Sequence, residues 1–339
     1  MKRGGHGPHL GKILLLLAIL WSGRWAIATT GLHREITAWV EAPRAGGEQI
    51  TVGEMARTGF PIRIAAALRD IAIVSPAEQG RLEVPEVTVA APTYWPGHAK
   101  MDVPAGDIAV ITPGSIATLP HEGGQAAVVL RPGRELTLQS KRAIIANPHI
   151  DLVEGRVLSA RVVHATLSQQ ETPAQNQSDF NAFDLAPGSI LRQAARLPNS
   201  WPVMFDAFHA AGTITMERPI ERTATLDNRP QPVALKLETA QALWGEIGMV
   251  FSADVTVAQG GIMTGTMSLS AQNWPRMLDF AECAGALTAD THPQIESVLT
   301  LLAGVSGGGP MLAAQITVLD GQMSMGCLPL GPAPRLIFR

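Results

Sequence analysis

Short runs in which apolar and polar residues alternate, each closed by glycine or proline, recur along this chain and do most to limit what it can fold into. A two-residue period puts one side chain set on each face of an extended strand, whereas a helix would need a period of about 3.6. In Pro61 to Arg69, Ile62, Ile64, Ala66 and Leu68 share one face, with Arg63 and Arg69 on the other. Leu82 to Ala90 repeats the pattern, setting Val87 and Val89 against Glu86 and Thr88. The same reading gives strands at 107–112, 126–130, 135–139 and 157–167, then at 213–216, 233–239 and 249–257. Gly260-Gly261 reads as a tight hairpin before Ile262. Asp320-Gly321, between alternating runs 311–319 and 322–328, is the clearest hairpin signal in the chain. With Gly at 33 and Pro at 25 of 339 residues, turns are plentiful, which favours many short strands over a helical bundle.

Three helices interrupt this pattern. Helical spacing of apolar residues predicts them over 187–197, 274–281 and 293–303, the last closed by Gly304. The expected fold is mainly β, a β-rich α+β chain: an N-terminal transmembrane helix followed by an elongated, curled antiparallel sheet with a few short helices. Residues 168–181, rich in Gln and Asn, read as a polar loop or linker between a first β-rich half, 43–167, and a second, 182–339. Either one sheet system carries a loop there or two modules pack together.

The N-terminus sets the compartment. Residues 1–12 form a basic tail with Lys2, Arg3 and Lys12 and no acid, and the apolar run Ile13 to Trp21 follows. Residues 13–32 match the length of one membrane-spanning helix, with Arg24 close enough to its far end to reach headgroups beside Trp21 and Trp25. The competing reading is a cleaved signal peptide whose small-residue site is Ala26-Ile27-Ala28. Leu32, Ile36, Trp39 and Val40 continue the helical spacing over 33–42 as an amphipathic stalk, which favours the retained anchor. Both readings leave the basic end in the cytoplasm and export the rest.

Composition excludes several functions. Charged residues make up 16% and the apolar set 46%, so the chain is not a disordered one. A net charge of −3 without a long basic run argues against a nucleic acid partner. The 2 cysteines exclude a disulfide-dense scaffold; Cys283 and Cys327 either pair in an oxidising compartment or stay as buried thiols. Met323 and Met325 share a strand face that either fills a core or lines a lipid groove.

No constellation of catalytic residues emerges. Gly304-Val305-Ser306-Gly307-Gly308 has glycine and serine spaced as in a nucleophile elbow. The order of elements around it is reversed, however, and no histidine follows Ser306. His121-Glu122 lacks the second histidine of a zinc-binding helix, and Gly123-Gly124 would break such a helix. His149 and Asp151 lie on one strand face without a third ligand at metal spacing. No phosphate-binding glycine loop is present, so no cofactor or metal is assigned and the chain is not expected to be an enzyme.

Three segments carry a family resemblance: Thr58-Gly59-Phe60-Pro61-Ile62-Arg63, Val89 to His98 with Tyr94-Trp95-Pro96 at its centre, and the closing Leu328-Pro329-Leu330-Gly331-Pro332-Ala333-Pro334. With these, the chain resembles the bacterial family called domain of unknown function 2125 over nearly all of residues 13–335. The resemblance implies an inner-membrane-anchored, periplasm-facing, β-rich protein of alphaproteobacterial type, with no known activity and no catalytic residue to carry over. More distantly the chain is similar to AsmA-like envelope proteins, which implies a curled sheet with an apolar trough for lipid. Physically, Gly59 permits a turn closed to other residues, Phe60 plugs the core edge, and Pro61 starts an edge strand. Tyr94, Trp95 and Pro96 anchor a strand end or meet a bilayer surface. The expectation is a non-enzymatic envelope protein, single-pass in the inner membrane through residues 13–32, that binds lipid or takes part in envelope biogenesis. The alternative is an assembly protein that contacts an envelope protein partner through its sheet edges, without lipid.

Overall fold

The computed structural model of the chain describes residues 7–41, 47–76, 79–93, 97–133, 136–197, 199–221, 229–283, 287–288, 290–305, 309–326 and 328–337. One long helix, α1 (Gly7–Glu41), precedes a single large antiparallel sheet. β1 (Gln49–Thr58), β2 (Arg63–Ser75) and β3 (Gly80–Pro92) form a meander in which alternating side chains set the register, Ala66 opposite Val89 and Leu68 opposite Val87. The sheet then forks. One end of β3, Thr88 to Ala90, pairs with β4 (His98–Val103), while Arg81 to Glu83 pair with β5 (Gly106–Thr112).

The β4 branch is the longer. It continues through β7 (Gly124–Leu130), β8 (Leu138–Ala146), β11 (Val162–Gln169), β12 (Gln175–Phe183), β14 (Ala207–Met216) and β15 (Pro232–Trp244). From there it runs through β16 (Ile247–Ala258), β17 (Ile262–Gln272), β18 (Met311–Leu319), β19 (Gln322–Met325) and β20 (Leu328–Pro332). The β5 branch holds β6 (Ser115–His121), β9 (His149–Leu152), β10 (Gly155–Ser159) and β13 (Ala186–Pro187). The Asp320-Gly321 hairpin forms as its sequence requires: both residues have positive φ, 50° and 76°, which suits a two-residue turn to the twist of its strands.

Helices α2 (Ser189–Ala194), α3 (Trp274–Cys283) and α4 (His292–Val305) fall within or close to the predicted spans. Trp274 and Leu278 of α3 bury against Ala271 and Leu312 of the sheet, with Ala303 of α4 completing that cluster. A second cluster, Val255, Val257, Met263 and Val318, is covered by the C-terminal segment through Ala333 and Leu336. A third joins Ala160, Ala182 and Leu185.

Several sequence expectations differ from the structure. Residues 168–181 are not a linker: β11 extends to Gln169, and β12 lies at the middle of the long branch between β11 and β14. The two β-rich halves therefore share one sheet. Gln177, Asp179 and Asn181 are tolerated in a central strand because they occupy its polar face, where Thr213 Oγ1 donates to Gln177 Oε1 at 3.0 Å. The run 157–167 is two strands, because the chain turns a corner at Ala160 and Arg161 between β10 and β11. The segments expected to form an anchor and a stalk are one continuous helix to Glu41. Among the described residues, no helix is long and apolar enough to cross a membrane. Beyond Trp21 the apolar character of α1 is broken by Ser22, Gly23 and Arg24.

Candidate functional site

The far half of α1 lies on the sheet. Trp25 Nε1 donates to the Arg63 carbonyl at 2.7 Å, Trp21 Nε1 to the Pro61 carbonyl at 2.8 Å, and Arg24 Nη2 to the Thr93 carbonyl at 3.2 Å. Together these three bonds tie one face of the helix to backbone acceptors at and beside the strand ends. The receiving turn is the one formed by Gly59, Phe60 and Pro61. Gly59 has φ +93°, and a Cβ there would sit 2.8 Å from the Arg63 carbonyl oxygen, so glycine is required. Arg63 N–H closes the turn onto the Gly59 carbonyl at 2.8 Å. Phe60 is exposed rather than buried at a core edge, and meets Trp25 edge to face at 5.1 Å between ring centres.

Between α1 and the sheet lies an apolar cleft of about 690 Å³. Ile27, Ala28, Gly31 and Leu32 form its helix wall, and Ile64, Val89, Ala91 and Ala99 its sheet floor. Arg24 and Glu35 are the charged residues on its rim.

The floor of this cleft belongs to a face that crosses the long branch as far as β18. Read through the strand register, Ala66 of β2 faces Val89, which faces Met101, then Ala126, Ala143 and Ala165. The same row continues through Phe180, Ala210, Ala240, Phe251 and Leu269 to Ala314 of β18. Every member is apolar. A parallel row two residues away carries Val103, Gly124, Ile145, Val163 and Ala182. The adjacent row on the opposite face reads Thr88, Asp102, Gln125, Ile144, His164, Asn181, His209 and Gln241. One face is thus oily and the other largely polar, and the many alanines make the oily floor shallow enough for something to lie on it.

Further hollows follow that face. One is lined by Met101, Val103, Ile108, Ala126 and Ile145, and the next shares Ile145 and adds Leu119, Val163, Leu158 and Leu185. A third shares Leu158 and Leu185 and reaches Leu191 of α2, Phe205, Phe208 and Trp244. There Phe205 stacks on Trp244 at 4.9 Å, and Trp201 meets Trp244 and Phe280 edge to face. Met101, Phe180 and Phe208 remain exposed along this path.

Titratable groups in these hollows are few. His121 borders the first one, buried, with Nδ1 accepting the Gly123 N–H at 3.0 Å. Burial pushes its imidazole below the ordinary range, against an upward pull from Asp107. His149 Nε2 lies 3.9 Å from Asp151, but that carboxylate is engaged by Arg156 at 2.9 Å, whose hydrogen bond holds it below the usual carboxylate range. Among the described residues, no three metal-ligating side chains converge. His292 contacts Glu282, while Ser306 lies outside the described residues.

The other singled-out residues are placed as follows. Tyr94, Trp95 and Pro96 lie outside the described residues, just after Thr93, whose Oγ1 donates to the Ile62 carbonyl at 2.9 Å. Cys283 is a half-buried free thiol at the end of α3, and Cys327 lies outside the described residues. Met323 packs against the cluster around Val255 and Val318, so it fills a core. The alanine row was missed as a site because no single strand displays it: each strand contributes one residue, and only the register lines them up.

A family model for proteins described as uncharacterized and conserved in bacteria, domain of unknown function 2125, matches residues 25–334. The chain belongs to that family. No match was found among curated proteins. The family match begins at Trp25, which bonds α1 to the strand end at Arg63, so it takes in the second half of α1 together with the sheet.

Proposed function

We propose that this member of the domain of unknown function 2125 family is a lipid-binding protein of the bacterial envelope, held in the inner membrane by α1 with its sheet in the periplasm. The observation that carries the reading is the unbroken apolar row from Ala66 to Ala314, with linked hollows along it and a polar row on the opposite face. A sheet that needed only to cover itself would close such a face with helices along its length. Here α1, α2 and the α3–α4 pair cover parts of it and leave apolar side chains exposed between them. At ~4.8 Å per strand the row extends roughly 50 Å, longer than an acyl chain and enough for one to slide along. The cleft under α1 lies at the end of this path next to the apolar run Ile13 to Leu20, where a lipid leaving the bilayer would enter.

The test is native mass spectrometry of the full chain extracted from membranes in mild detergent, with a photoactivatable phospholipid as probe. Bound phospholipid, with crosslinks at Ala143, Val163 or Phe180, is the expected result. A lipid-free protein with crosslinks confined to residues before 20 removes the reading. A second reading, partner binding by strand addition, is favoured by β1, which is paired on one side only among the described residues. Crosslinking in cells that traps one protein on residues 49–58, with no lipid bound, selects it.

A further inference from the structure

The anchor and the sheet do not fit the membrane independently. A span needs about 20 residues and ~30 Å of hydrocarbon, but Ile13 to Leu20 rises only about 12 Å, and even Gly7 to Leu20 only about 20 Å. From Trp21 onward the helix is bonded to the β1–β2 turn and to Thr93. With α1 entering the bilayer, the strand ends bonded to it share the interfacial layer.

Those strand ends are built for it. Phe60 and Ile62 at the turn are 58% and 67% exposed, and Leu20 and Ile27 on the adjoining helix are 69% and 76% exposed. Such a patch is costly in water and ordinary at a membrane boundary. Five backbone carbonyls there are already satisfied, which lowers the cost of entering an apolar layer. The carbonyls of Gly59, Pro61, Ile62, Arg63 and Thr93 each accept a hydrogen bond, from Arg63, Trp21, Thr93, Trp25 and Arg24 respectively. Trp21 and Trp25 spend their N–H groups on sheet carbonyls, so their rings carry no unpaired donor into an apolar layer. Arg63 is exposed at the same end, a cation available to lipid phosphates.

We propose that the β1–β2 turn, from Gly59 to Ile62, is a membrane-dipping tip that enters the bilayer interface beside α1 and holds the mouth of the apolar cleft at the membrane surface. This rests on the reading of α1 as an anchor, and the test separates the two. Single-cysteine chains are made in a Cys283→Ser, Cys327→Ser background at Leu16, Phe60, Ile62 and Val153, and labelled with an environment-sensitive fluorophore. Val153 is 82% exposed in the β9–β10 turn, at the opposite end of β2 and β3. The full chain is reconstituted in phosphatidylethanolamine–phosphatidylglycerol vesicles with or without doxyl lipid.

Labels at 60 and 62 are expected to shift to the blue and lose more than half their intensity to the doxyl group, with the label at 153 unaffected. If 16 is quenched while 60 and 62 stay water-like, the tip proposal falls and the anchor stands. If 16 is also unquenched, the anchor reading falls and takes the tip with it. Where Phe60→Cys does not fold by circular dichroism, Ile62→Cys, which removes no ring contact, decides.

Discussion

Replacing Gly31 with leucine tests the cleft under α1 most directly, because the structure predicts a gain in stability together with a loss of binding. Gly31 lies in the helix wall of the cleft, and a Cβ built there meets no atom within 4 Å. Exchanging glycine for leucine inside a helix is worth about 0.8 kcal/mol by backbone entropy alone. The added carbons point into an apolar space open on one side; at half of full burial they contribute about 1.5 kcal/mol. The combined effect, about 2 kcal/mol, raises the melting temperature of a chain this long by about 3 °C. Gly23→Leu is the control: it too meets open space but does not line the cleft, so it gains only the helix term. Thermal melts of lipid-stripped protein in detergent and lipid capture by native mass spectrometry are read side by side. Gly31→Leu should melt higher and capture several-fold less phospholipid, and Gly23→Leu should melt slightly higher with capture unchanged. A destabilised Gly31→Leu chain would refute the open cleft. A stabilised chain with full capture would place any lipid elsewhere on the sheet.

Other consequences are measurable on the same protein. His121 has its folded-state pKa lowered by burial, so its contribution to stability is complete above its ordinary range and is lost as pH falls through it. Melting from pH 8 to 5 should show a loss on the acid side that His121→Gln reduces; identical profiles would remove His121 as its source. Gly265→Ala should cost roughly 3 kcal/mol in a denaturant titration, since its Cβ would stand 2.2 Å from the Asp254 carbonyl oxygen at φ +152°. Leu312→Ala should cost about 2–5 kcal/mol by emptying space between the sheet and α3. Asp151→Asn, which removes a partly exposed pair with Arg156, should cost less than about 1 kcal/mol, and the difference should shrink in high salt.

How much of the site was legible in the sequence depends on the distance over which its parts are assembled. The turn around Gly59 was readable because a glycine, an aromatic and a proline in succession define a local conformation. Its use as a seat for Trp21 and Trp25 was not, because those residues come from an element some forty positions earlier. The polar composition of 168–181 misled for a related reason. Hydrophilic residues suit a loop, but in a sheet with one wet face they suit a central strand equally well, and only pairing with β11 and β14 decides.

The β-rich character, the three short helices and the Asp320-Gly321 hairpin were determined by the sequence alone, because alternation, helical spacing and turn residues act over a few neighbours. An apolar face somewhere on the sheet also followed from alternation. Which strands lie side by side, the fork at β3, the docking of α1 and the alignment of alanines into one continuous floor were decided by the tertiary structure. Register between strands is a property of pairs far apart in the chain, and a shift of one residue would have turned each of those alanines to the opposite face.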